Sequence, residues 1–156
     1  MNIRSEKGFT LIELLVVVAI LGIICVGIVR GFTRYNANAE ETRAQKEMMD
    51  LALQVEKYRS ENFTFKGFPK TTMTLPLNAT GNNIRYSLSI VDIDSGSDLT
   101  NSKSTGYSWA IKAVAKEGSS NYSLLLNSYG ERCKNLSASR VTNTDCGDAI
   151  QGSKQW

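Results

Sequence analysis

The sequence predicts an α+β fold in which one long N-terminal α-helix packs on a small antiparallel β-sheet. Three observations carry that expectation: no proline occurs before Pro69, helical spacing persists from Phe9 to about Asn62, and the chain after Asn83 alternates apolar and polar residues as strands do. At 156 residues the chain has the length of one domain. Its 18 basic and 15 acidic side chains leave a net charge of +3. That balance does not by itself argue for nucleic acid, because clusters of one sign rather than small net charges create a binding field. Histidine is absent, which removes the commonest general base and the commonest metal ligand together. No serine, threonine or cysteine stands in a recognisable catalytic motif, so the chain reads as a non-enzyme without a cofactor.

The first element is a leader, residues 1–8, with Arg4 and Lys7 against Glu6 and a closing Gly8. Residues 9–29 follow as an apolar run long enough to span a bilayer, carrying a single acid, Glu13. An isolated carboxylate in a membrane helix costs roughly 2.5–3.5 kcal/mol, so one that is retained serves a partner or a task. A secretory signal peptide is cleaved after its apolar stretch, which is then lost. A cut after Gly8 would instead keep the stretch and free an amine on Phe9, and the mature chain would hold 16 basic and 14 acidic groups once Arg4, Lys7 and Glu6 are gone.

The string Lys7-Gly8-Phe9-Thr10-Leu11-Ile12-Glu13-Leu14 resembles the processing site of the type IV pilin family, which includes pilus subunits, minor pilins and type II secretion pseudopilins. The resemblance implies cleavage between Gly8 and Phe9 by a prepilin peptidase, N-methylation of Phe9, and an assembly role for Glu13, whose carboxylate would meet the Phe9 amine of a neighbouring subunit. It also implies a single-pass protein of the bacterial inner membrane that an assembly platform draws, with other pilin subunits, into an extracellular pilus serving adhesion, twitching motility or DNA uptake. Three rivals are weighed beside it: a type II secretion pseudopilin, a DNA-binding competence pilin acting as uptake receptor, and a signal-anchored periplasmic enzyme whose leader stays uncut.

Residues 30–62 read as the amphipathic half of the long helix, which would be roughly 80 Å in length. Ala44, Met48, Leu51, Val55 and Tyr58 recur at spacings of four and three, with Ala52 widening the stripe. Arg43 and Glu47, and Lys46 and Asp50, stand four apart on the charged face, where they can pair. Many family members have a proline where this chain has Arg30, while Gly22, Gly27 and Gly31 still lower helix stability by up to about 1 kcal/mol each.

Residues 63–83, punctuated by Gly67, Pro69, Pro76 and Gly81, are expected to form the loop between helix and sheet. Residues 84–156 supply the sheet and a C-terminal disulfide loop. Three strands are expected, around Ile84–Ile90, Tyr107–Ala113 and Tyr122–Asn127, each with one apolar face to cover the helical stripe. Cys133 and Cys146 flank a polar loop in the exported region, where an oxidising compartment allows a bridge contributing about 3 kcal/mol in the chain-entropy model. Zinc finds too few ligands there, and Cys25 reads as a small buried hydrophobe inside the apolar run. Many type IV pilins carry such a disulfide loop and major pseudopilins usually lack it.

Two constellations could carry chemistry. Asp92, Asp94 and Asp98 share a glycine-containing loop that suits either a solvated structural turn or a weak calcium site, although Gly96 and Lys103 break the EF-hand template. Near the C-terminus, Arg132, Lys134, Arg140 and Lys154 accompany Trp156, a pattern open to DNA by phosphate contact and stacking, or to adhesion or packing, with Glu131, Asp145 and Asp148 diluting the charge. Asn-x-Ser/Thr triplets at Asn62, Asn78, Asn121 and Asn135 match a glycosylation pattern that is frequent by chance.

Overall fold

The computed structural model describes residues 9–156, without the side chains of residues 25–31 and 33. Gly8 and the rest of the leader therefore lie outside the described residues, as do the side chains of Cys25 and Arg30. The chain divides into two compact units between Asn36 and Ala37.

The first unit is helical, the N-terminal part of α1 (Leu11–Asn62). Every side chain from Leu11 to Ile24 is exposed, with leucine, isoleucine and valine on all sides. A helix that is apolar all round needs a partner or a bilayer to cover it. Among the described residues, no helix is long and apolar enough to cross a membrane.

In the second unit the remaining part of α1 lies on a six-stranded antiparallel sheet whose spatial order follows the sequence. The strands are β1 (Thr72–Leu75), β2 (Tyr86–Val91), β3 (Ala110–Ala115), β4 (Ser123–Asn127), β5 (Arg132–Asn135) and β6 (Lys154–Gln155). Ala44, Met48, Leu51 and Val55 are buried against Tyr86, Leu88, Ile90, Ile111, Leu124 and Leu126, while Ala52 and Tyr58 pack at the margin. Each large apolar side chain buried there contributes roughly 1.5–3 kcal/mol. Trp109 adds a polar tie across this layer, its indole N–H donating to Glu56 Oε1 at 2.9 Å.

The sheet departs from the expected three strands in ways that have physical causes. It begins at Thr72, inside the 63–83 segment expected to be loop, because Thr72–Leu75 pairs with β2 in the register Leu75 opposite Tyr86. This four-residue strand lies between Pro69 and Pro76 at the sheet edge, where missing N–H donors are tolerated. β3 starts at Ala110 rather than Tyr107, since Gly106 turns the chain at φ +72° and leaves Tyr107 exposed before the strand. β4 is buried along its whole length. Leu124 and Leu126 face the helix, whereas Leu125 joins Ala110, Cys133, Val141 and Cys146 in a second cluster. A strand covered on both faces loses the alternation that makes it legible.

Candidate functional site

At the N-terminus Thr10 caps α1 reciprocally with Glu13. The Thr10 backbone N–H and hydroxyl donate to Glu13 Oε2 at 2.9 and 2.8 Å, and the Glu13 N–H donates back to Thr10 Oγ1 at 3.3 Å. This Thr-x-x-Glu capping box satisfies helix-end donors that have no intrahelical partner. The glutamate therefore has a local task besides the one the resemblance implies, and its carboxylate is held one residue from the exposed Phe9. The capping pattern is readable at Thr10 and Glu13, but the sequence reading gave the acid only a partner in another subunit.

Cys133 and Cys146 form a disulfide, with Cα atoms 5.9 Å apart and a sequence separation of 13. The enclosed loop is pinned at further points. Asn135, buried at the end of β5, donates from Nδ2 to the carbonyls of Cys146 (2.8 Å) and Gln151 (3.1 Å) and accepts the Ser137 N–H at 2.9 Å. Trp156 donates its indole N–H to the carbonyls of Leu125 at 3.2 Å and Cys133 at 2.9 Å. The Asp145 carboxyl is held below its ordinary value by the Gly147 N–H, a shift opposed by partial burial and reinforced by the Thr142 and Thr144 hydroxyls.

The C-terminal basic cluster is assembled only in part. Lys134 pairs with Glu41 of α1, and its ammonium lies 5.0 Å from the centroid of the Tyr122 ring. Lys154, opposite Lys134 in the β5–β6 register, stands 5.3 Å from the same ring. Trp156 packs against the core with its N–H occupied, so it offers no free face like that of an exposed aromatic. Arg132 and Arg140 are exposed, the latter on a short 3-10 turn inside the disulfide loop. Among the described residues the ion pairs are Lys134 with Glu41 and Arg85 with Glu40, which leaves Arg132, Arg140 and Lys154 outside both.

The aspartate loop is structural. Asp92 is buried and its carboxylate accepts the N–H groups of Asp94 and Ser95 on one oxygen; the other takes the Thr105 and Gly106 N–H groups and the Ser104 and Thr105 hydroxyls. Burial pushes this carboxyl up, but the hydrogen bonds from Gly106, Ser104, Thr105 and Ser95 outweigh it and hold the group well below the usual carboxylate range. Asp94 accepts the Thr105 and Ser108 hydroxyls at 3.2 and 3.1 Å. Both acids thus organise the connection between β2 and β3. No group of three or more potential ligands among the described residues is arranged to hold a metal.

That connection is locked to the end of α1. The Gly106 carbonyl accepts the Phe65 N–H at 3.0 Å and the Thr64 hydroxyl at 3.2 Å. A side chain at Gly106 would start 2.3 Å from Thr64 Oγ1, and the backbone is left-handed, so glycine is required there. Of the four Asn-x-Ser/Thr asparagines, Asn121 and Asn135 are buried and hydrogen-bonded, and Asn62 is tied to the Tyr58 carbonyl. Asn78 is exposed in a turn at φ +62°.

Comparison with known proteins bears on both halves of the chain. A family model for the prokaryotic N-terminal methylation motif matches residues 3–29. A second, described as type IV minor pilin ComP, DNA uptake sequence receptor, matches residues 31–147. The chain is similar to the type IV wide pilus major component PilA4 of Thermus thermophilus, 29% identical over 85 residues, 54% of this chain and 65% of that protein. It is also similar to the type II secretion system core protein G of Pseudomonas aeruginosa, 33% identical over 82 residues, 53% of this chain and 58% of that protein. A fimbrial protein of Pseudomonas aeruginosa is 44% identical over 48 residues, 31% of each chain. The chain thus spans less than two thirds of the length of these relatives. No solved structure matches it.

Proposed function

The chain belongs to the type IV minor pilin ComP family, and from that premise we propose that this pilin-like subunit is anchored by residues 9–29, assembles through its N-terminal helix into a type IV pilus, and displays a head that binds DNA. The observation that carries the reading is the pairing of two matches end to end, the methylation motif over 3–29 and the minor-pilin family over 31–147. Pilins are structural subunits, so the reading calls for no catalytic group. The anchor rests on the apolar run 9–29, whose described side chains are apolar on every side up to Ile24 apart from Thr10, Glu13 and the small Gly22. Prepilin peptidase would act at Gly8–Phe9, and the inner-membrane platform and other pilins would be the partners. Arg132, Arg140 and Lys154 are the exposed cations of the C-terminal region available to phosphates.

The test is genetic and biochemical together. Cells lacking the chain should keep their pili and lose DNA uptake; loss of all pili with uptake unchanged would overturn the minor-subunit reading. Within the helix, Glu13→Gln separates two roles, since glutamine also serves a capping box but carries no charge. If the charge registers subunits, Glu13→Gln and Glu13→Val should both insert in the membrane and both be depleted from sheared pili. Wild-type incorporation of both would remove Glu13 from assembly. The similarity to secretion protein G supports a second reading as a pseudopilin, in which deletion would abolish secretion and spare DNA uptake.

A further inference from the structure

We infer that the end of the head where α1 finishes carries a stacking site for unpaired nucleobases, built on Phe63 and Tyr107. The inference rests on the DNA-binding reading and goes beyond it by naming the surface and the form of the strand. Phe63 is 91% exposed and Tyr107 84% exposed. The segments that carry them meet at a hydrogen-bonded junction, which Phe63 precedes and Tyr107 follows: the Thr64 hydroxyl and Phe65 N–H both donate to the Gly106 carbonyl. In the C-terminal cluster Trp156 is packed with its N–H occupied, and Tyr129, in the turn before Arg132, is less exposed at 67%.

Phe63 stands out for a second reason. It occupies the position just after α1 at φ +61°, its N–H closing on the Arg59 carbonyl at 2.7 Å. Left-handed backbone at a helix end is normally the place of glycine, and a bulky aromatic is uncommon there. Its ring is also almost entirely in water. Neither local backbone preference nor burial accounts for a phenylalanine at this position, and a ligand-facing role does.

Two cations belong to the same junction: Lys66, three residues after Phe63, donates from Nζ to the Ser102 carbonyl at 2.8 Å, beside the exposed Lys103, four residues before Tyr107. Glu61 on the last turn of α1 and Asp94 and Asp98 on the β2–β3 connection offset these charges. Affinity would therefore come more from ring–base contact than from phosphate neutralisation, which implies a shallow dependence on salt. A duplex keeps its base faces stacked inside, so the site favours single strands or frayed ends.

The test uses the full chain in detergent and fragments of host genomic DNA, native and heat-denatured. Denatured fragments should bind more tightly than native ones. Tyr107→Ala and Phe63→Gly should each weaken binding of denatured fragments on the order of tenfold, with little change on native fragments. Phe63→Gly should also melt at a higher temperature than wild type, so its loss of binding could not be blamed on misfolding. Wild-type affinity of both variants for single strands would overturn the stacking site while binding of native DNA kept the receptor reading alive. Equal losses on both forms of DNA would overturn the preference for unpaired bases, and a lower melting temperature for Phe63→Gly would show that the ring is there to stabilise the helix end. A wild-type chain that binds neither form would sink both readings.

Discussion

Two connections in the head are organised by one buried polar side chain at the end of a strand, and they differ in what that side chain is. Asp92, just after β2, gathers six donors from residues 94–106 on a single carboxylate. Asn135, at the end of β5, makes three bonds to the C-terminal loop, and a disulfide closes the same loop covalently. A carboxylate can draw in a whole set of N–H and O–H groups because charge-assisted bonds are roughly twice as strong as neutral ones. An amide, with limited acceptor capacity and no charge, holds its loop with help from the bridge and from Trp156. The first device is sensitive to acid and indifferent to reductant, whereas the second yields to reductant and feels acid only through the exposed Asp145 carboxyl.

The largest effect should come from breaking the charged device. Asp92→Asn turns an amide donor toward groups that are themselves donors, and should lower the unfolding free energy by about 4 kcal/mol in denaturant titrations. The acid response follows from the same residue. Asp92 ionises more readily folded than unfolded, so its contribution is complete above the ordinary carboxylate value of about 4 and is lost as pH falls from there toward the folded value. Thermal midpoints should be insensitive to this group from neutrality to about pH 5 and fall below about pH 4, with a shallower acid slope in Asp92→Asn. An unchanged acid slope in that variant would assign the sensitivity to other carboxylates.

Next in size is the covalent device. Replacing Cys133 and Cys146 together by serine should cost about 3 kcal/mol from the lost restraint on the unfolded chain. Reductant should reproduce that loss in the wild type and leave the Asp92 connection protected in hydrogen exchange. Asn135→Ala exposes the mismatch left when an amide goes, with the Cys146 and Gln151 carbonyls and the Ser137 N–H unpaired, and should cost about 2 kcal/mol. Trp156→Phe keeps the packing and removes one N–H, so about 1 kcal/mol is expected. A Trp156→Phe loss larger than that of the cysteine pair would reverse the ranking and make the C-terminal indole the main anchor of the loop.

These side chains also mark where the sequence is legible. The helical stripe Ala44, Met48, Leu51 and Val55 is buried as its spacing implies, and α1 ends at Asn62. Periodicity reports one-sided burial, which is why β2 is plain and β4, covered on both faces, is not. β1 was hidden because four residues between prolines carry too little pattern. The pairing of Cys133 with Cys146 follows from their flanking position, but the work of Asp92 does not, since an Asp-x-Asp in a loop looks the same whether its carboxylate faces solvent or a ring of donors. Trp156 and Lys134 mislead in the opposite sense, because aromatic and basic residues near a terminus resemble a binding surface until Leu125, Cys133 and Glu41 are seen to occupy them. Phe63 gave no signal at all, as only its backbone angle and exposure set it apart.

The central claim, that this chain is a processed pilin subunit retaining its apolar helix, is tested most directly by mass spectrometry of the protein recovered from sheared pili. The account predicts an N-terminus at Phe9, methylated, in a chain whose Cys133 and Cys146 peptides are cross-linked. A chain recovered only from the membrane with Met1 to Gly8 still attached would contradict it.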